Sequence, residues 1–234
     1  MYKRILLKIS GEQLAGKFDS GIDPERARWL AQEVKQAAAD GTQVVIMVGG
    51  GNFVRGAQVA GAGIKRVTGD HMGMLGTLIN ALALTDIFED QGLPTRCLSN
   101  IFAEQVAEPF VHRLAEKHLQ ANRVVIVAGG IGRPYITTDT AAVSLALELD
   151  CDIVMKTTKV DGVYDKDPAK HTDAARFETL TYQQAVENSE IKVMDKAALG
   201  LAMEQEMPIL VLSVEDDGSL ARAVQGETIG TRVG

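Results

Sequence analysis

Six short apolar runs, rich in β-branched residues, alternate along this chain with helical stretches, and that rhythm constrains the fold more than any other feature. They are RILLKIS (residues 4–10), TQVVIMV (42–48), PTRCLS (94–99), NRVVIVA (122–128), CDIVMKT (151–157) and PILVLSV (208–214). Runs this apolar need cover on both faces, which is the condition of strands in a parallel sheet between helices. The periodicity predicts helices over residues 23–40, 70–90, about 108–120, 138–149 and 195–206. The first has Asp23 as N-cap, Pro24 at the first helical position and Gly41 as its stop, with Leu30, Val34 and Ala37 on its inner face. The expected architecture is one α/β unit spanning residues 1–234, an open, mostly parallel sheet sandwiched by helices, with lobes before and after about residue 170.

Composition narrows the function classes. A formal charge of −7 disfavours a polynucleotide groove but leaves room for local basic sites that hold small anions. No apolar run approaches 18 residues and nothing resembles a leader, so a cytoplasmic protein with no membrane partner is expected. Cys97 and Cys151 stand alone, and His71, His112, His118 and His171 lack ligand spacing, so no metal site of the protein's own is expected.

In open α/β sheets, ligands collect beyond the carboxyl ends of the strands. Four such ends are unusual here. The first is Lys8-Ile9-Ser10-Gly11, and the second is Gly49-Gly50-Gly51-Asn52 with Arg55 close behind. The third runs through GGIGRPYITTD, residues 129–139, and the fourth through TTKVDGVYDKDP, residues 157–168. Glycine lets backbone amides approach an anion closely, and following helix N-termini add partial positive charge. Taken singly, each has a plainer explanation as a tight turn, a helix cap or a solvated loop. Their coincidence at one sheet edge points to a nucleotide and phosphate site.

Two lysines compete for the central role. Gly11, Gly16 and Lys17 nearly complete the phosphate-loop pattern G-x-x-x-x-G-K-[ST], but Phe18 replaces the hydroxyl residue and a turn, DSGID, follows instead of a helix. Lys8 ends an otherwise apolar strand, where a charge is costly without a partner, and its compact ammonium suits transferring phosphate oxygens. Asp139 lies opposite in this arrangement, to orient lysines or a metal instead of acting as a base.

The motifs KISGE (residues 8–12), GGGN with the following Arg55-Gly56, TTD (137–139) and KVDGVYDKDP (159–168) together resemble the amino acid kinase family. GDHMGML (69–75), GRPYITTDTAA (132–142) and IKVMDKAA (191–198) are similar to its bacterial branch that phosphorylates UMP, and the likeness runs from Tyr2 to Val224. The resemblance implies transfer of the γ-phosphoryl group of ATP, brought as its Mg²⁺ complex, to UMP. By position it implies ATP contacts at Lys8, Ile9, Ser10, Gly11, Gly51, Arg55, Thr158, Tyr164 and Asp167, with Lys8 and Asp139 catalytic. UMP contacts would fall on Gly50, Asp70, Ile131, Gly132, Arg133, Pro134, Tyr135, Ile136, Thr137 and Thr138, with Asp70 on the ribose. Arg133 stands where many relatives carry Asn, and Ile131 where some carry Thr. The resemblance also implies a homohexamer activated by GTP and inhibited by UTP, with an effector segment at Gly16, Lys17, Phe18, Asp19, Ser20 and Gly21. It further implies an acceptor-binding first lobe and a nucleotide-binding second lobe. Two other readings use the same loops: a sister kinase making an acyl or carbamoyl phosphate, and a catalytically silent nucleotide sensor.

Overall fold

A computed structural model describes the chain except residues 62, 189, 190, 192 and 214, so the last residue of PILVLSV and Lys192 of IKVMDKAA lie outside the described residues. The described residues form a nine-stranded sheet. Its strands are β1 (Arg4–Ile9), β2 (Gln43–Val48), β3 (Thr95–Ser99), β4 (Glu108–Pro109), β5 (Val124–Ala128), β6 (Ile153–Thr158), β7 (Thr179–Leu180), β8 (Ile209–Ser213) and β9 (Thr231–Val233). The order across the sheet is β4-β3-β5-β2-β1-β6-β8-β9-β7, and every pairing is parallel except β8 with β9. The helices are α1 (Gly11–Leu14), α2 (Pro24–Ala37), α3 (Gly56–Ala60), α4 (Arg66–Asp90), α5 (His112–Gln120), α6 (Thr138–Glu148), α7 (Tyr182–Glu187), α8 (Lys196–Glu204) and α9 (Ser219–Gln225).

All six apolar runs are strands, and the residue alternation of β1 divides the core in two. Ile5, Leu7 and Ile9 pack with Leu30 and Val34 of α2 and Leu84 and Phe88 of α4. Leu6 faces the opposite layer, with Val143 and Ala146 of α6 and Ala202 of α8. Burying each such side chain contributes about 1.5–3 kcal/mol, so both layers are needed to hold β1 at the centre. The same alternation sends Lys8 to the α6 side. The helix predicted over 23–40 begins as expected, Asp23 accepting the Glu25 N–H at 3.0 Å, and Leu30, Val34 and Ala37 are buried.

Some boundaries differ from expectation. An unexpected single turn, Gly11–Leu14, precedes the helix at Pro24, braced by the Ser10 N–H donating to Gln13 Oε1 at 3.1 Å, and α2 ends at Ala37, short of residue 40. Gly11 is required there, because a Cβ would lie 2.7 Å from the Gly49 carbonyl oxygen. The helix predicted from 108 starts at His112, since Pro109 favours extended backbone before it and Glu108–Pro109 adds a strand instead. The helix predicted from 70 begins at Arg66. Helix α4 is long and apolar enough to cross a membrane, yet Asn80, Ala81, Leu84 and Phe88 on its inner face are fully buried in the protein. The short elements α3, α7, α9, β7 and β9 have no counterpart in the sequence reading.

Candidate active site

Strands β5, β2, β1 and β6 are contiguous and parallel, so their carboxyl ends share one edge. The chain grows outward from β1 toward β2 and later toward β6, which puts a topological switch point at Lys8. Lys8 pairs in register with Lys156 of β6, so two ammonium groups lie side by side on one face of the sheet. Helix α6 lies over them, and Asp139 in its first turn answers both. Lys8 Nζ is 2.7 Å from Oδ1 and Lys156 Nζ 2.7 Å from Oδ2. Lys156 also donates to the Val193 carbonyl at 2.7 Å. Burial by itself would raise the Asp139 carboxyl, but the two ammonium groups outweigh it and hold the acid below the usual carboxylate range. Burial lowers Lys156 below the ordinary lysine value despite Asp139.

Beside this cluster lies a cavity of about 320 Å³, lined by the glycine loop after β2, the first turns of α4 and the loop between β5 and α6. Gly50, Gly51, Arg55, Asp70, Ile131, Arg133, Ile136, Thr137 and Thr138 all contribute to its wall. Gly50 is constrained by contact, since a Cβ would sit against the Gly73 carbonyl and 2.9 Å from the Thr77 amide nitrogen. Arg55 pairs with Glu12 of α1. Asp70 accepts from Arg66 Nε at 2.8 and 3.0 Å and from the Tyr135 N–H at 2.9 Å. Desolvation alone would raise Asp70, and these donors reverse it to below the ordinary carboxylate value.

The remaining predicted positions separate into distinct places. Ser10 and Gly11 join Lys8 at the head of α1, whereas Gly132, Pro134 and Tyr135 belong to the cavity loop without forming its wall. Thr158 closes β6 and donates to the Val160 carbonyl at 2.6 Å. Tyr164 and Asp167 lie in the loop beyond it. The Tyr164 hydroxyl donates to Asp161 at 2.6 Å, and Asp167 accepts from the Ala169 N–H at 3.0 Å. Arg176 ties this loop to the end of the chain by donating to the Gly230 carbonyl at 2.8 Å. The segment from Gly16 to Gly21 follows α1 as an exposed turn. Lys17 there pairs with Glu25 at 2.8 Å and stands at no helix start, so the phosphate-loop pattern is accidental. The Gly21 carbonyl accepts from the Asn52 side chain, and Asn52 exchanges two amide hydrogen bonds with buried Asn80, fastening this turn to the β2 glycine loop. Cys97 and Cys151 are buried thiols pushed up to about 12, by desolvation first, and are unreactive.

Sequence reasoning missed Lys156 although the signal that marked Lys8, a charge ending an apolar strand, is repeated there. It also missed Asp195. This residue caps α8 through the Ala198 N–H at 2.9 Å and accepts from Thr140 at 2.9 Å and from Thr137, joining the starts of α6 and α8. No local pattern distinguishes such a bridge from an ordinary cap.

Residues 3–213 match the family model described as Amino acid kinase family. A uridylate kinase of Xanthomonas oryzae pv. oryzae is 49% identical over 99% of this chain and 96% of its own length. The crystal structure of a UMP kinase from Bacillus anthracis superposes with a TM-score of 0.94 at 35% identity, covering 99% of this chain and 96% of that one. A UMP kinase from Ureaplasma parvum gives 0.91 at 31% identity over 100% and 99%.

Proposed function

The chain belongs to the amino acid kinase family, and we propose that it transfers the γ-phosphoryl group of ATP to the phosphate of UMP, giving ADP and UDP for pyrimidine nucleotide synthesis. One observation carries this reading: a cavity of mononucleotide size, holding Asp70 and arginines, opens beside a Lys8–Asp139–Lys156 cluster at the switch point of the sheet. The names of the relatives agree with it.

The acceptor phosphate is already ionised at neutral pH and needs no general base, so the task is positioning and charge neutralisation. Asp139, paired with two ammonium groups, orients them and does not take a proton. Lys8 offers its ammonium to the transferring phosphoryl oxygens, while Ser10, Gly11 and Gly51 bring backbone amides to the ATP phosphates and Arg55 adds charge. Thr158, Tyr164 and Asp167 hold the nucleoside of ATP. Gly50, Asp70 and residues 131–138 hold UMP. Mg²⁺ arrives with ATP as part of the substrate. The acceptor lobe lies before about residue 170 and the nucleotide lobe after it, with Thr158, Tyr164 and Asp167 on the segment that leads from one to the other, in a cytoplasmic enzyme.

The same reading includes a homohexamer, GTP activation and UTP inhibition. Val67, Leu75 and Ile79 form an exposed apolar row on α4 that suits subunit contact, and the turn from Gly16 to Gly21 is hydrogen-bonded through Asn52 to the glycine loop after β2. A coupled ADP-release assay across UMP, CMP, dTMP, acetylglutamate and aspartate tests the activity. Selective turnover of UMP is expected. Turnover of a carboxylate acceptor, or ADP release that UMP leaves unchanged, overturns the reading. Light scattering at micromolar concentration tests the assembly, and a monomer mass overturns it.

A further inference from the structure

We propose that Arg66 is a positioning residue that sets selectivity for the acceptor's sugar by fixing the Asp70 carboxylate before the acceptor arrives. The inference rests on the assignment of the cavity to UMP and deepens it. Arg66 opens α4 one turn ahead of Asp70, and its Nε reaches both carboxylate oxygens, at 2.8 and 3.0 Å. The Tyr135 N–H reaches Oδ2 from the opposite loop at 2.9 Å. A third side is closed by Gly56, where a Cβ would collide with Oδ1 and lie 2.9 Å from the Asp70 amide nitrogen. Three elements, α4, α3 and the loop before α6, thus converge on one side chain.

Tyr135 gives an independent sign that this arrangement is imposed. Its φ is +67°, a left-handed conformation that a bulky residue adopts only where its surroundings dictate it. The surroundings here are the Asp70 oxygen on its N–H and the Arg66 guanidinium, 5.2 Å from its ring centroid. Arg66 therefore holds the acid directly and also packs against the residue that supplies the other donor.

An ionised carboxylate offers about four acceptor positions. Oδ2 takes two contacts and Oδ1 one, so the least engaged position is on Oδ1, in a residue that lines the cavity. A fixed, partly buried acceptor discriminates strongly, because an analogue that lacks the donor leaves it unpaired. A carboxylate free to turn would find water or another partner and discriminate little. Arginine suits this duty and lysine does not, since the rigid planar guanidinium fixes the direction of the one Nε–H that both oxygens share, where a flexible ammonium fixes none.

The test uses the full-length protein at saturating Mg²⁺-ATP, with kcat/KM measured for UMP, 2′-deoxy-UMP and 3′-deoxy-UMP in the wild type, Arg66→Lys, Arg66→Gln, Asp70→Asn and the Arg66→Gln/Asp70→Asn double variant. Thermal unfolding verifies that each is folded. The wild type should prefer UMP over at least one deoxy acceptor by ~10-fold or more. Both Arg66 variants should cut that preference to under ~3-fold, chiefly through a lower kcat/KM for UMP, and the double variant should lose no more preference than Asp70→Asn alone. A preference that survives in both Arg66 variants but vanishes in Asp70→Asn overturns the role of Arg66 and leaves the UMP assignment standing. Equal use of all three acceptors by the wild type also overturns it. No turnover of UMP by the folded wild type overturns the assignment beneath it.

Discussion

Replacing Asp139 with asparagine removes one carboxylate and strands two lysines. At an effective dielectric near 20, a unit pair separated by 2.7 Å attracts by roughly 6 kcal/mol before desolvation is counted. Deleting one partner of a buried pair costs about 3–5 kcal/mol, because the remaining charge has already lost its water. The Lys8 and Lys156 side chains are only 9% and 16% exposed, so both feel that loss. For a protein of this size the change amounts to a Tm fall of roughly 6–20 °C. The pH dependence identifies the cause. Burial depresses Lys156 in the folded state, so the unfolded chain binds more protons between that value and 10.5, and stability rises with pH across that window. Without Asp139 the depression deepens and the window opens earlier. Thermal unfolding of wild type and Asp139→Asn from pH 7 to 10 should show a gap that narrows with pH, and an added Lys156→Met should recover part of it at pH 7. An Asp139→Asn protein as stable as wild type at pH 7, or a gap that widens with pH, would refute the reasoning.

Three further outcomes follow from the same geometry. Lys8→Ala should lower kcat ~100-fold or more, about 3 kcal/mol, whereas Lys17→Ala, exposed and paired only with Glu25, should keep unstimulated turnover within about threefold, measured at saturating ATP and UMP. Gly50→Ala should impair folding or abolish UMP-dependent stabilisation in a thermal-shift assay, because its Cβ meets the backbone of α4 and no flexible side chain can yield. Asp139 and Asp70 are both held below the carboxylate reference of 3.8, so the stability they contribute is complete above that pH and is lost as pH falls toward their folded-state values. Acid unfolding of Asp70→Asn should accordingly show a shallower pH slope below about 4 than the wild type.

The strands were legible because their apolar runs are local and long, and the start of α2 because Asp23 and Pro24 mark it, while its end at Ala37 falls short of the expected stop at Gly41. The single turn at Gly11 was not, since four residues carry no period and the turn depends on Ser10, Gln13 and a close approach to Gly49. The missed strands β7 and β9 pair with each other, and β9 also with β8. Two and three residues long, they are strands only because those partners exist.

In the site, the glycine loops were readable one at a time, but their relation was not. Lys8 was conspicuous as a charge at the end of an apolar strand, and Lys156 is the same feature 148 residues later. Its meaning depends on β6 lying next to β1, a pairing that no local pattern encodes because β2, β3, β4 and β5 come between them in the chain. Once the two strands are neighbours in register, two ammonium groups must share one face, and the layer above must supply an anion. Helix α6 does so with Asp139. The sheet order therefore sets the acid's surroundings: an aspartate clasped by two lysines is a poor proton acceptor and a good brace, which suits the proposed transfer to an already ionised phosphate.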